Sequence, residues 1–102
     1  MTGDDPQIIL ERAGAAFAAG RYAEAADGFR AVIAGHPDVG ELYINLGAAL
    51  RAAGDVVAAE QALRKAVRLL PQNAMAWFNL GNLLSARKQR EQALAAYEKA
   101  DM

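Results

Sequence analysis

Tyr43-Ile44-Asn45-Leu46-Gly47 is answered, thirty-four residues later, by Trp77-Phe78-Asn79-Leu80-Gly81. Asn-Leu-Gly is identical in the two stretches, and an aromatic residue opens both. The surroundings keep the interval: Leu50 pairs with Leu84, Ala59 with Ala93, Leu63 with Tyr97 and Pro37 with Pro71. A period of this length marks a stacked repeat, in which one unit cannot bury its own apolar face and must lean on its neighbours. Alanine, the best helix former, is the commonest residue, and no segment alternates apolar and polar residues long enough for a strand. The expected fold is all-α, with six antiparallel helices in three helix-turn-helix units.

Local signals place those helices. They are expected at 6–19, 22–34, 39–53, 56–70, 74–87 and 90–101. Asp5 before Pro6 reads as an N-cap with proline at the first helical position. Asp38 with Glu41 three residues on reads as a capping box, and Asp55 and Asn73 read as caps of the fourth and fifth helices. Gly20 and Gly54 suit the left-handed residue that ends a helix. Lys88 fills that slot in the third unit, where it must either accept strain or use another turn. A short tail at 1–5 then precedes one domain at 6–102, with units at about 6–39, 40–73 and 74–102, the last incomplete. Within a unit, close crossing needs small residues, supplied by Gly47, Gly81, Ala59 and Ala93. Tyr43, Leu46, Leu50, Leu63, Trp77, Leu80, Leu84 and Tyr97 fill the space between.

These residues resemble the tetratricopeptide repeat, whose pattern is an aromatic, Leu-Gly, a large residue, then Ala, an aromatic and Pro. The third unit supplies Trp77, Leu80-Gly81, Leu84, Ala93 and Tyr97. The second supplies Tyr43, Leu46-Gly47, Leu50, Ala59, Leu63 and Pro71. The first departs from the pattern, with Ile9, Arg12-Ala13 and Ala16 before a conforming Ala25, Phe29 and Pro37. The resemblance implies a right-handed α-solenoid over nearly the whole chain. The third unit stops before its closing proline, which suggests the N-terminal piece of a longer array, with the sixth helix uncapped near Leu94 and Tyr97.

Composition narrows the function. Of 102 residues, 54% are apolar and 23% charged, a foldable balance. The net charge of -1 argues against a nucleic-acid module. With no cysteine, thiol chemistry and cysteine-held metal are excluded. His36 is the single histidine and Ser85 the single serine, and no phosphate-loop or metalloprotease motif is present. The expectation is a protein that is not an enzyme and needs no cofactor or metal. No apolar run approaches the ~20 residues of a membrane span, and the acidic N-terminus is no signal peptide, so a cytoplasmic location is expected.

What remains is a surface. In the tetratricopeptide family the first helix of each pair lines a concave groove. By register, that face holds Leu10, Glu11, Gly14 and Phe17 in the first unit. The second contributes Glu41, Ile44, Asn45, Ala48 and Arg51, and the third Met75, Phe78, Asn79, Asn82 and Ser85. Leu10, Ile44 and Phe78 share one repeat offset and form an apolar row. Asn45 and Asn79 share the next, with Glu11 in the first unit. An asparagine amide matches the C=O and N–H of an extended peptide, though it can equally bond a neighbouring helix. Arg51 could hold a partner carboxylate or stay solvated. Phe17 and Phe78 are either apolar anchors or core.

Some members grip a C-terminal carboxylate with Lys, Asn, Asn, Lys and Arg. The matching slots hold Leu10, Gly14, Asn45, Met75 and Asn79, and only Asn45 agrees. The expected function is therefore a non-catalytic scaffold that binds an extended peptide or helix of a protein partner by other means. The alternatives are self-assembly into a homo-oligomer through the uncapped C-terminal helix, or a regulatory or targeting fragment of a larger enzyme.

Overall fold

Six helices account for nearly all of residues 5–101, which the computed structural model describes. They are α1 (Pro6–Ala18), α2 (Tyr22–Gly35), α3 (Gly40–Ala52), α4 (Val56–Leu69), α5 (Ala74–Ala86) and α6 (Arg90–Ala100). Every expected boundary holds to within one residue. Of the expected tail, residues 1–4 lie outside the described residues, as does Met102.

The N-caps follow the side chains available. Asp5 accepts from the Gln7 amide at 2.7 Å, Asp55 from Ala58 at 3.3 Å and Asn73 from Ala76 at 3.0 Å. The expected Asp38–Glu41 box does not form: α3 begins one residue later, with Val39 at the cap and no side-chain bond to the helix amides. Val39 is the repeat counterpart of Asn73, so the cap position is kept and the capping oxygen is lost. Gly40, the first residue of α3, is buried against Leu69 and Leu70, where a Cβ would not fit.

Each unit turns in the same way. Gly20 and Gly54 have φ of 82° and 91°, and Lys88 takes the same left-handed turn at 63°. The bonding repeats with it. Gly20, Gly54 and Lys88 donate to the carbonyls of Phe17, Arg51 and Ser85. Arg21, Asp55 and Gln89 donate to those of Ala16, Leu50 and Leu84. This is the paired closure of a Schellman C-cap.

Close crossing is also kept in every unit, by different means. A Cβ on Gly47 would come within 2.6 Å of Leu63 Cγ, and one on Gly81 within 2.8 Å of the Tyr97 ring. In the first unit Ala13 stands where these glycines stand, but the clearance is moved across the crossing. A Cβ on Gly28 of α2 would lie 2.8 Å from Ala13 Cβ. The first unit is thus degenerate in sequence and conserved in geometry.

Between units, the signature aromatics and prolines explain each other. Tyr43 Oη donates to the Pro37 carbonyl at 2.7 Å, and Trp77 Nε1 donates to that of Pro71 at 2.7 Å. Units 2 and 3 are further joined by a polar chain. Glu60 pairs with Arg64 at 2.8 Å and with Arg87, and Arg64 reaches Gln92 at 2.7 Å. Burial pushes the Glu60 carboxyl up, but the hydrogen bonds and charges of Arg64 and Arg87 outweigh it and hold the group below the ordinary carboxylate value.

Each helix packs chiefly on its neighbours in sequence, giving a stack of 48 × 25 × 18 Å with one continuous core from Ala13 to Ala96. One asymmetry shapes the surface. α3 and α5 approach directly, whereas α1 and α3 are not packed to a comparable extent.

Candidate functional site

That asymmetry opens a groove on the side of the first helices. Between α1 and α3 it widens into a compartment of about 640 Å³. Leu10 and Phe17 wall it from α1, and Leu42 and Val39 from α3. The buried ring of Phe29 closes it from beneath. Gly14 and Ala48 leave its middle open, and Asn45 and Glu41 supply its polar groups. A smaller compartment of about 280 Å³ follows between α3 and α5, where Leu63 lies below and Arg51 and Asn79 line the sides.

The two asparagines at one repeat offset therefore line adjacent compartments. Among the described residues, neither side chain hydrogen-bonds to a neighbouring helix. Arg51 is exposed and makes no ion pair with a described residue. Glu41 likewise makes none.

Other expected groove residues are arranged differently. Ile44 is only 9% exposed and belongs to the core cluster, so only the outer members of the apolar row present surface. It sits on α3, the middle of the three first helices and the one that packs directly on α5. Phe78 stays 48% exposed but lies against the Tyr97 ring, 5.9 Å between centroids. Asn82 accepts a hydrogen bond from Tyr97 Oη at 2.7 Å, which commits it to its own unit. Met75 is exposed and, with Phe78 and Asn82, lies outside both compartments. Phe17 is exposed at the wall and holds Tyr22 edge-on at 5.2 Å.

Phe29, Leu42 and Val39 were not among the expected groove residues. Phe29 fills the core slot of Leu63 and Tyr97, and like Leu63 in the second compartment it also floors the groove. Away from the groove, Leu94 is 60% exposed on α6, at the repeat position of the covered Ala26 and Glu60. Among the described residues no three His, Asp or Glu side chains are grouped to hold a metal ion. Among the described residues no helix is long and apolar enough to cross a membrane.

Two tetratricopeptide repeat profiles match, over residues 10–74 and 50–102. No sequence match was found among curated proteins. Solved structures are similar in fold. The CopN–Scc3 complex matches at 20% identity and TM-score 0.88, over 98% of this chain and 59% of that one. The first TPR of Spaghetti (RPAP3) bound to HSP90 peptide SRMEEVD matches at 24% and 0.88, over 93% and 75%. The Yersinia enterocolitica type III secretion translocator chaperone SycD matches at 17% and 0.89, over 97% and 75%. A MamA variant with a TM-score of 0.89 is covered over 53% of its length, so the chain spans just over half of the first two structures matched. With one profile covering well over half of its residues, and with the turn, crossing and proline latch repeating at the family's spacing, the chain belongs to the tetratricopeptide repeat family.

Proposed function

We propose that this protein is a non-catalytic interaction module that holds a segment of a protein partner in the groove along α1, α3 and α5. The observation that carries the reading is the pair Asn45 and Asn79. They line successive compartments at the same repeat offset, and their amides have no bond to a neighbouring helix among the described residues. A primary amide offers both a donor and an acceptor, which suits the alternating groups of a peptide backbone. Apolar walls beside a few polar groups are the usual make-up of a ligand groove. The similar Spaghetti domain bound to an HSP90 peptide supports the kind of partner, not its identity.

A peptide titration followed by amide resonances tests this. Groove resonances on α1, α3 and α5 move, and Asn45→Ala and Asn79→Ala each weaken binding. Shifts confined to α2, α4 and α6 would overturn the reading.

A second reading has its own observation. Leu94 is exposed where Ala26 and Glu60 are covered by the following unit. A second copy stacking on α6 would cover it, and a heterologous contact of this kind can propagate. Light scattering would then show mass rising with concentration in wild type and not in Leu94→Glu. A wild type that stays monomeric at high concentration rejects it.

A further inference from the structure

Gly14 is a glycine the fold does not use. It sits inside α1, where glycine is a poorer helix former than alanine. It has no positive φ, and a Cβ built on it would meet nothing within 4 Å. Gly28, Gly40, Gly47 and Gly81 each clear a neighbour, Gly20 and Gly54 make left-handed turns, and Gly35, which like Gly14 does neither, is the last residue of α2 and lies outside the compartment. Gly14 does neither, yet it lines the α1–α3 compartment. Its repeat counterparts, Ala48 and Asn82, carry side chains. The missing side chain leaves room in the groove rather than in the core.

The electrostatics of that room are one-signed. Glu41 is the single charged residue in its lining, and it has no ion-pair partner among the described residues. No cation is in that lining; Arg51 belongs to the next compartment. The compartment is wide enough for the largest side chains and its walls are apolar.

We infer that the α1–α3 compartment, kept open by Gly14, is an anchor pocket for one bulky apolar side chain of a partner segment that carries lysine or arginine beside it. This rests on the groove reading and adds the chemistry of the occupant. The apolar side chain is buried between Leu10, Phe17 and Phe29. The neighbouring cation meets Glu41, and the backbone crosses Asn45 toward Asn79. An acidic ligand such as the peptide SRMEEVD on the Spaghetti domain would instead set its carboxylates against Glu41.

The test uses a panel of fluorescein-labelled nonapeptides on a Gly-Ser background, read by anisotropy. Each carries Leu, Phe or Ala at the centre, followed by Lys, Gln or Glu. Burial of the anchor makes Leu-Lys and Phe-Lys bind about tenfold or more tighter than Ala-Lys. Leu-Lys binds several-fold tighter than Leu-Glu, and Glu41→Lys reverses that order. Gly14→Leu fills the pocket and lowers Leu-Lys affinity to the Ala-Lys level, while its melting curve shows the fold intact. Gly14→Ala, a smaller intrusion, gives a partial loss.

Unchanged Leu-Lys affinity in folded Gly14→Leu, or a wild-type preference for Leu-Glu, overturns the anchor pocket. If Asn45→Ala still weakens binding in that case, the groove reading survives without it. If no peptide of the panel binds to millimolar concentration, the anchor proposal fails. The groove reading is then judged by its own resonance titration.

Discussion

Gly28→Ala and Gly14→Ala are the same chemical change in adjacent helices, and the structure separates their effects. At Gly28 the new Cβ would stand 2.8 Å from Ala13 Cβ and 3.6 Å from Ala13 Cα. Carbon atoms normally rest about 3.5–4.0 Å apart, so α1 and α2 must separate. Overpacking of this kind costs about 1–3 kcal/mol. Against it stands about 0.5–1 kcal/mol gained by replacing glycine in a helix interior. The net at Gly28 runs from about neutral to about 2.5 kcal/mol destabilising. At Gly14 no contact opposes the gain, so that variant is stabilised by about 0.5–1 kcal/mol.

The two variants therefore differ by about the overpacking term alone. For a domain of this size each kcal/mol moves the melting temperature by about 4–8 °C. Thermal unfolding followed by circular dichroism should place Gly14→Ala above wild type and Gly28→Ala at least about 4 °C below Gly14→Ala. Adding Ala13→Gly to Gly28→Ala moves the clearance back across the crossing and exchanges one helical alanine for another. The cycle should show a favourable coupling of about 1 kcal/mol or more. Equal melting of the two glycine variants, or no recovery in the double variant, would refute the account of the first unit.

Trp77→Phe removes the bond to the Pro71 carbonyl and should cost about 0.5–1.5 kcal/mol in urea unfolding, with Tyr43→Phe in the same range. Lys88→Gly relieves a left-handed non-glycine residue and should raise stability by about 1 kcal/mol in the same assay. Glu60 is held below its usual carboxylate value, so its ionised form stabilises the fold above the ordinary range. That contribution is lost as pH falls through the folded-state value. The stability gap between wild type and Glu60→Gln, measured from pH 7 down to pH 3, should close in the acid range; a constant gap would show that the Arg64 and Arg87 contacts do not favour the carboxylate.

The helices, their turns and the crossings of units 2 and 3 were legible in the sequence because each depends on residues at a fixed interval. The failures share a cause. Asp38 looks like a capping residue by its local pattern, but comparison with Asn73 puts the cap at Val39. Ile44 has the offset of Leu10 and Phe78, yet periodicity reports which face a residue occupies, not how many helices press on that face. Gly28 carries no signal alone, because the residue it makes room for lies on another helix. The groove's Asn45 and Asn79 were found from spacing. Its widest part was not, since it arises from the separation of α1 and α3, which periodicity within one unit does not report.

The bonds from Tyr43 to Pro37 and from Trp77 to Pro71 have a bearing on how the groove is shaped. Each ties the loop between two units to the helix six positions downstream, so each junction is stiffened by a contact local to it. A partner would meet a groove stiffened at the two joints carrying this bond. Less of its binding energy would go into bending the scaffold, and more would remain to distinguish one side chain from another.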